Sequence, residues 1–316
     1  MTSNSGSTQT TPSGAHDEEL CLMGVTRLAD FLDFVRKRAV GGPDMDKGEL
    51  VAIWRDASKV FDGLQTTEAG VADKPDVRPL TPFLQAHVDE LVTLPHFQAS
   101  FQSVPVAFGM VELDKLVVYQ QHITQSSVQK MTRTLQTPIT EDVLAGLCLP
   151  LTADTTGFHV TLEDDGRFIF SSGSHDARFL GAQVINPADI KGFAVSGHPQ
   201  TVIALSVGFT TNILNVVRYG PRMVLNNGYH RAMALRQLGV THAPCLIQVC
   251  SHWEEVGLAG SNEIYENSTV YFSAARPPLL RDYTNGLLTK SFTTWRTNKE
   301  IRVSYEVDTA HLAQKT

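Results

Sequence analysis

Six consecutive residues, Asn226-Asn227-Gly228-Tyr229-His230-Arg231, hold the densest chemistry in this sequence. Asn tolerates unusual backbone angles and Gly lets the chain approach a ligand closely. A helical pattern follows at once, so the run is expected to open a helix. The first N–H groups of a helix lack intrahelical partners, and its dipole is positive at that end. A helix start of this kind gathers anions, phosphate above all. Arg231 on the first turn would grip phosphate oxygens in a fork. His230 would donate a hydrogen bond or move a proton near neutral pH, which makes it a candidate catalytic residue. Asn227, Gly228, Tyr229, His230 and Arg231 are therefore the expected phosphate contacts. A structural turn without a ligand is the alternative.

The flanking elements can be read from their patterning. Ile213–Tyr219 and Arg222–Leu225, joined by Gly220-Pro221, predict a hairpin that delivers the turn. A helix is expected from about Tyr229 to Leu238, with Ala232, Leu235 and Leu238 on its apolar face and Gly239 just past its end. Pro244–Val249 reads as a strand. Upstream, Val111–Tyr119 is rich in β-formers, and Thr124 to about Leu135 reads as a helix. Phe158–Leu162 and Arg167–Phe170 flank Asp165-Gly166, a second hairpin. Phe179–Ile185 and Thr201–Val207 have strand length. Helices are predicted from Glu18 to about Arg38, from Asp46 to about Leu64, and from Pro82 to Val92, the last capped by Thr81. A short helix after Pro277-Pro278 and an alternating strand over Ile301, Val303, Tyr305 and Val307 complete the pattern.

A phosphotransferase also needs a base. Glu112 and Asp114, beside the Val111–Tyr119 run, are the candidate catalytic carboxylates, with solvated surface acids as the other reading. Glu163-Asp164-Asp165 is explained by the hairpin without a metal. His159, His175 and His198 lack metal-ligand spacing, so no metal site is expected from protein ligands alone. No Walker A, GxSxG or Rossmann fingerprint occurs.

The residues ILNVVRYGPRMVLNNGYHRAMALRQLGVTHAPCLIQV, Ile213 through Val249, resemble the second block of the ParB/sulfiredoxin superfamily: hairpin, G-x-x-R, Ala-rich helix ending in Gly, then a strand opened by Pro. Pro105–Gln136 is similar to the family's first strand and its nucleotide-side helix, here carrying Ser126, Ser127, Gln129 and Lys130. The resemblance implies an α/β (α+β) fold with a mixed-sheet, ParB/sulfiredoxin-like core. It implies a bound ATP or other nucleoside triphosphate with Mg2+, and it adds Gln120, His122 and Lys130 to the nucleotide contacts. Tyr229 stands where sulfiredoxins carry their reactive Cys, which argues against their chemistry. The G-x-H-R pattern is closer to that of the free-serine kinases, so the resemblance implies phosphoryl transfer to a small hydroxyl substrate. A nucleotide-gated regulator that binds DNA or a protein remains the alternative.

The 316-residue chain divides, on this reading, into a disordered tail (1–16), a helical subdomain (17–100), the nucleotide-binding core (101–250) and a short C-terminal extension (251–316). A formal charge of −7 disfavours a protein that coats nucleic acid. Cys21, Cys148, Cys245 and Cys250 form no CxxC and read as buried thiols, with Cys245 and Cys250 on opposite faces of one strand. With no signal peptide or membrane span in the sequence, a cytoplasmic location is expected.

Overall fold

The computed structural model describes residues 16–310 except 136, 153–156, 175–176, 191, 193–196, 210 and 261. The expected tail lies outside the described residues but for His16, which begins a strand. The chain forms two compact units, one from residues 1–152 and 212–296, the other from 153–211 and 297–316.

In the first unit, β1 (His16–Leu22), α1 (Leu28–Arg38), α2 (Lys47–Thr67), β2 (Val77–Arg78), α3 (Pro82–Leu91), α4 (Pro95–Ser100), β3 (Val106–Glu112), β4 (His122–Thr124), α5 (Gln125–Thr134) and α6 (Glu141–Cys148) come before the break. The second unit supplies β5 (His159–Leu162), β6 (Phe168–Ser172), β7 (Ala177–Ile185) and β8 (Val202–Phe209). The first unit resumes with β9 (Asn215–Tyr219), β10 (Arg222–Asn227), α7 (Tyr229–Gln237), β11 (His242–Cys250), α8 (Trp253–Ala259), α9 (Asn262–Glu266) and β12 (Thr289–Trp295). β13 (Lys299–Val303) returns to the second unit. Helices and mixed sheets together make this an α/β (α+β) protein.

A five-stranded sheet in the order β10-β9-β11-β3-β2 organises the first unit. β9 and β11 are parallel because α7 carries the chain across between them, while the other pairs are antiparallel. Both faces of the sheet are covered. Val216, Leu225, Cys245 and α7 residues belong to one core cluster, and Val217, Val224, Cys250 and Val256 to another. The alternation of Cys245 and Cys250 across β11 follows directly from the two-residue repeat of a strand. α7 is enclosed on nearly every side, with Tyr229, Arg231, Ala232, Met233, Ala234 and Leu235 all buried. The stripe of Ala232, Leu235 and Leu238 expected from spacing was therefore too narrow.

A second sheet, β12-β1-β4, crosses the predicted first helix. Residues 16–22 form a strand and the helix begins only at Leu28. The sequence pattern misled because Leu20 and Leu22 face the main core while Cys21 and Met23 face α1. A strand with both faces covered shows no clean alternation. The proposed 17–100 helical subdomain is likewise not separate, since β1 and β2 pair with strands from elsewhere in the unit. Thr81 and Thr140 cap α3 and α6 as their types require.

The second unit holds a three-stranded sheet, β13-β6-β5, and the ribbon β7-β8. Its first hairpin is the expected one, with Gly166 at φ +82° in the turn. It interrupts the segment between α6 and β9, and Leu214 N donates to Cys148 O at 2.7 Å across the interruption.

Candidate functional site

Gly228 caps α7 in the left-handed region, at φ +101°. A β-bulge between Leu225 and Asn227 releases the chain from β10 into this turn, and Asn226 is tied to α8 by its side-chain amide on Ala259 O. Glycine is required here for two reasons. The backbone angle is one, and a Cβ would lie 2.5 Å from Leu214 Cδ1. The close approach is thus to a core leucine.

Tyr229, first in the helix, is buried, and its hydroxyl donates to Leu225 O at 2.8 Å. The same oxygen accepts from Tyr119 N at 3.0 Å and Gln120 N at 3.3 Å. Burial pushes its ionisation well above the ordinary tyrosine value. Tyr283 donates its hydroxyl to Gln120 O, so two buried tyrosines fix the backbone at Gln120. Arg231 is only 5% exposed, and its Nη1 donates to Leu147 O at 3.1 Å and Asn212 O at 2.7 Å. It joins the end of α6 to the strand that resumes after the interruption. One nitrogen of the fork expected to hold phosphate, Nη1, is thus taken by two backbone carbonyls.

His230 behaves differently. Its Nε2 accepts from Thr124 N at 3.2 Å, which places the proton of the neutral ring on Nδ1. Thr124 is the residue before α5. At the other ends of the two helices, Thr132 Oγ1 donates to Gln237 Oε1 at 3.4 Å. α5 and α7 therefore run side by side in the same direction, with their starts together. Neither start has a side-chain cap, and neither first turn carries an acid. Two positive helix ends, each equivalent to about half a charge, thus lie side by side.

Of the other predicted residues, Gln120 and His122 lie on the segment running to Thr124 and so join this neighbourhood. Asn227 ends β10 beside it. Lys130 is exposed on α5, about 7 Å along the helix axis from its start. Glu112 and Asp114 are not brought to the turn. Asp114 pairs with Arg236, near the far end of α7, and Glu112 pairs with Lys115 at 3.1 Å and accepts from Asp76 N at 2.9 Å. Asp114 thus anchors the opposite end of the helix, and Glu112 is engaged away from it.

A carboxylate that sequence reasoning missed is closer. Glu19 is buried and accepts from Arg38 Nη2 at 2.5 Å. Its other oxygen lies 3.7 Å from His122 Nε2. His122 packs on Phe34, ring centroids 4.8 Å apart, and its ring borders a cavity of about 290 Å3 lined also by Cys21, Phe31, Arg38 and Gln121. Burial, reinforced by Arg38, lowers its pKa to about 4, so the ring is neutral at physiological pH. Glu19 gave no signal because its segment read as helix, which hid its pairing with Thr124 across β1 and β4.

Among the described residues, no group of three or more His, Cys, Asp or Glu could hold a metal ion. No described helix is long and apolar enough to cross a membrane. Comparison with protein-family models, with curated proteins and with solved structures finds no match.

Proposed function

We propose that the chain is a ParB/sulfiredoxin-like nucleotide-binding enzyme that transfers a phosphoryl group from ATP or another nucleoside triphosphate to a small hydroxyl compound. The observation that carries this reading is the pair of uncapped helix starts, α5 and α7, in contact through Thr124 and His230. Their amides are the donors for phosphate oxygens, and His230 joins the two starts through Thr124. Arg231 holds the cradle together and acts on the ligand only through it. With no cluster of protein ligands for a metal among the described residues, Mg2+ fits as a companion of the phosphates.

His122, with Glu19 at 3.7 Å from its Nε2, is the acceptor's base. It takes the proton from the acceptor hydroxyl as that oxygen bonds to the terminal phosphorus. The bond to the bridging oxygen breaks, and its electron pair leaves on the nucleoside diphosphate. A pKa near 4 makes His122 a weak base, so positioning and charge neutralisation would supply most of the rate.

A nucleotide-gated regulator without turnover is the second reading. The β7-β8 ribbon favours it, because Val184, Ile203 and Leu205 stand exposed on that ribbon. The test is thermal shift and turnover with each nucleoside triphosphate and Mg2+, with and without hydroxylated small molecules or duplex DNA. Stabilisation together with turnover that rises with a hydroxyl compound supports the enzyme. Stabilisation without turnover supports the regulator. No stabilisation by any nucleotide or by inorganic tripolyphosphate overturns both.

A further inference from the structure

A second cavity, of about 430 Å3, is lined in part by Tyr119 and Gln120, whose backbone N–H groups meet the Tyr229 hydroxyl at the start of α7. Tyr119 forms one wall; its hydroxyl donates to Asn226 O at 3.2 Å and its ring meets the Tyr229 ring edge-on, centroids 5.7 Å apart. Tyr271 forms another, with its ring edge-on to Tyr119 and its hydroxyl donating to Glu263 at 2.8 Å. Both hydroxyls are thus engaged elsewhere, and the rings with Val25 give a mainly polar cavity one apolar side. Gln120, Gln121 and Asn267 add three amides to the same walls; of the carboxylates there, Asp30 pairs with Arg27 and Glu263 accepts from Tyr271, which leaves Glu266.

We infer that this cavity takes the nucleoside end of the nucleotide whose phosphates sit at the paired helix starts, an inference that rests on the proposed nucleotide binding. The volume lies in the range of small-molecule sites. A nucleobase is flat and apolar on its faces and has donors and acceptors around its edge. Aromatic and aliphatic walls suit the faces, and Gln121 and Asn267 suit the edge. Glu266 is an acceptor for ribose hydroxyls or an exocyclic amine. Tyr119, Gln120 and Gln121 belong to the nucleotide-binding stretch read from the sequence, but the facing wall does not. It comes from the segment around α9, beyond β11, so residues 263–278 become part of the ligand site.

Calorimetry on the full chain with Mg2+ tests the inference, comparing ATP, CTP and GTP with inorganic tripolyphosphate. At least one nucleotide is expected to bind tenfold or more tightly than tripolyphosphate. V270W, at a partly exposed lining position, fills the cavity, and E266R reverses the charge of an exposed lining residue. Each should remove the advantage of the nucleotide and leave tripolyphosphate affinity within twofold, with Tm read in parallel. Equal affinity of wild type for nucleotides and tripolyphosphate overturns the cavity assignment while the helix-start reading stands. Retention of the full nucleotide preference in both variants also overturns it. Binding of neither ligand removes the underlying reading itself.

Discussion

Arg231 and His230 are neighbours in sequence with different tasks, and substitution should separate them. Arg231→Ala leaves two buried carbonyls without their donor, so we expect a loss of about 3 kcal/mol in stability in the absence of any ligand. Urea unfolding of the apo protein reads this directly; unchanged stability with lost nucleotide affinity would instead make Arg231 a direct ligand contact. Gly228→Ala should cost about 1–3 kcal/mol, from the strained backbone and the collision with Leu214. His122 gives a pH signature. Its pKa in the folded chain is depressed to about 4 from 6.5, so below 6.5 the unfolded chain takes up a proton that the folded one refuses. Its contribution to stability is whole above pH 6.5 and fades as pH falls toward 4. The slope of Tm against pH in that window should be shallower in H122N than in wild type, and identical slopes would remove the burial argument. The residue types around Gly228 announced a helix start from sequence alone. Which of them are engaged inside the fold was not legible, because Leu214, Leu147 and Asn212 reach the turn only through tertiary packing. Glu19 was invisible for the same reason.

At the level of elements, the parallel pairing of α5 and α7 sets opposing demands on stability and binding. An acid in the first turn of α5 would complement both dipoles. Ser127→Asp should therefore raise the stability of the free protein by about 0.5 kcal/mol or more and weaken phosphate binding by charge repulsion. Thermal shift with and without tripolyphosphate gives both signs in one experiment. A stabilised variant that binds tripolyphosphate normally would mean that the two starts do not form the anion cradle. The hairpin β9-β10, α7, and the cap of α3 were readable because turn residues and local periodicity dictate them. β1 was not, since a strand buried on both faces imitates the apolar spacing of a helix over seven residues. The parallel direction of α5 and α7 was equally hidden, because it depends on a sheet order that no local pattern specifies.

At the scale of the whole molecule, the second unit is an excursion from a continuous first unit. The hydrogen bond between Leu214 and Cys148 closes the chain at the point of departure. Replacing residues 153–211 with a short Gly/Ser linker and ending at Arg296 should leave the first unit folded, with a cooperative thermal transition. A chain that lost cooperativity on this replacement would show that the two units are one folding entity. The sequence reading divided the chain into consecutive blocks; the structure interleaves them, since hydrophobic patterning records which faces are buried and not which distant strand covers them.

The partners of β1 and β6 have a consequence for how the chain is made. β1 begins at His16 and pairs along its whole length with β12, which ends at Trp295, and β6 pairs with β13, whose last residue is Val303. During vectorial synthesis both early strands leave the ribosome long before their mates exist. Each must wait with an open edge until nearly all of these 316 residues have emerged. Such late, long-range closure slows folding and exposes the nascent chain to misassociation, which makes chaperone capture of the partly synthesised polypeptide the natural safeguard.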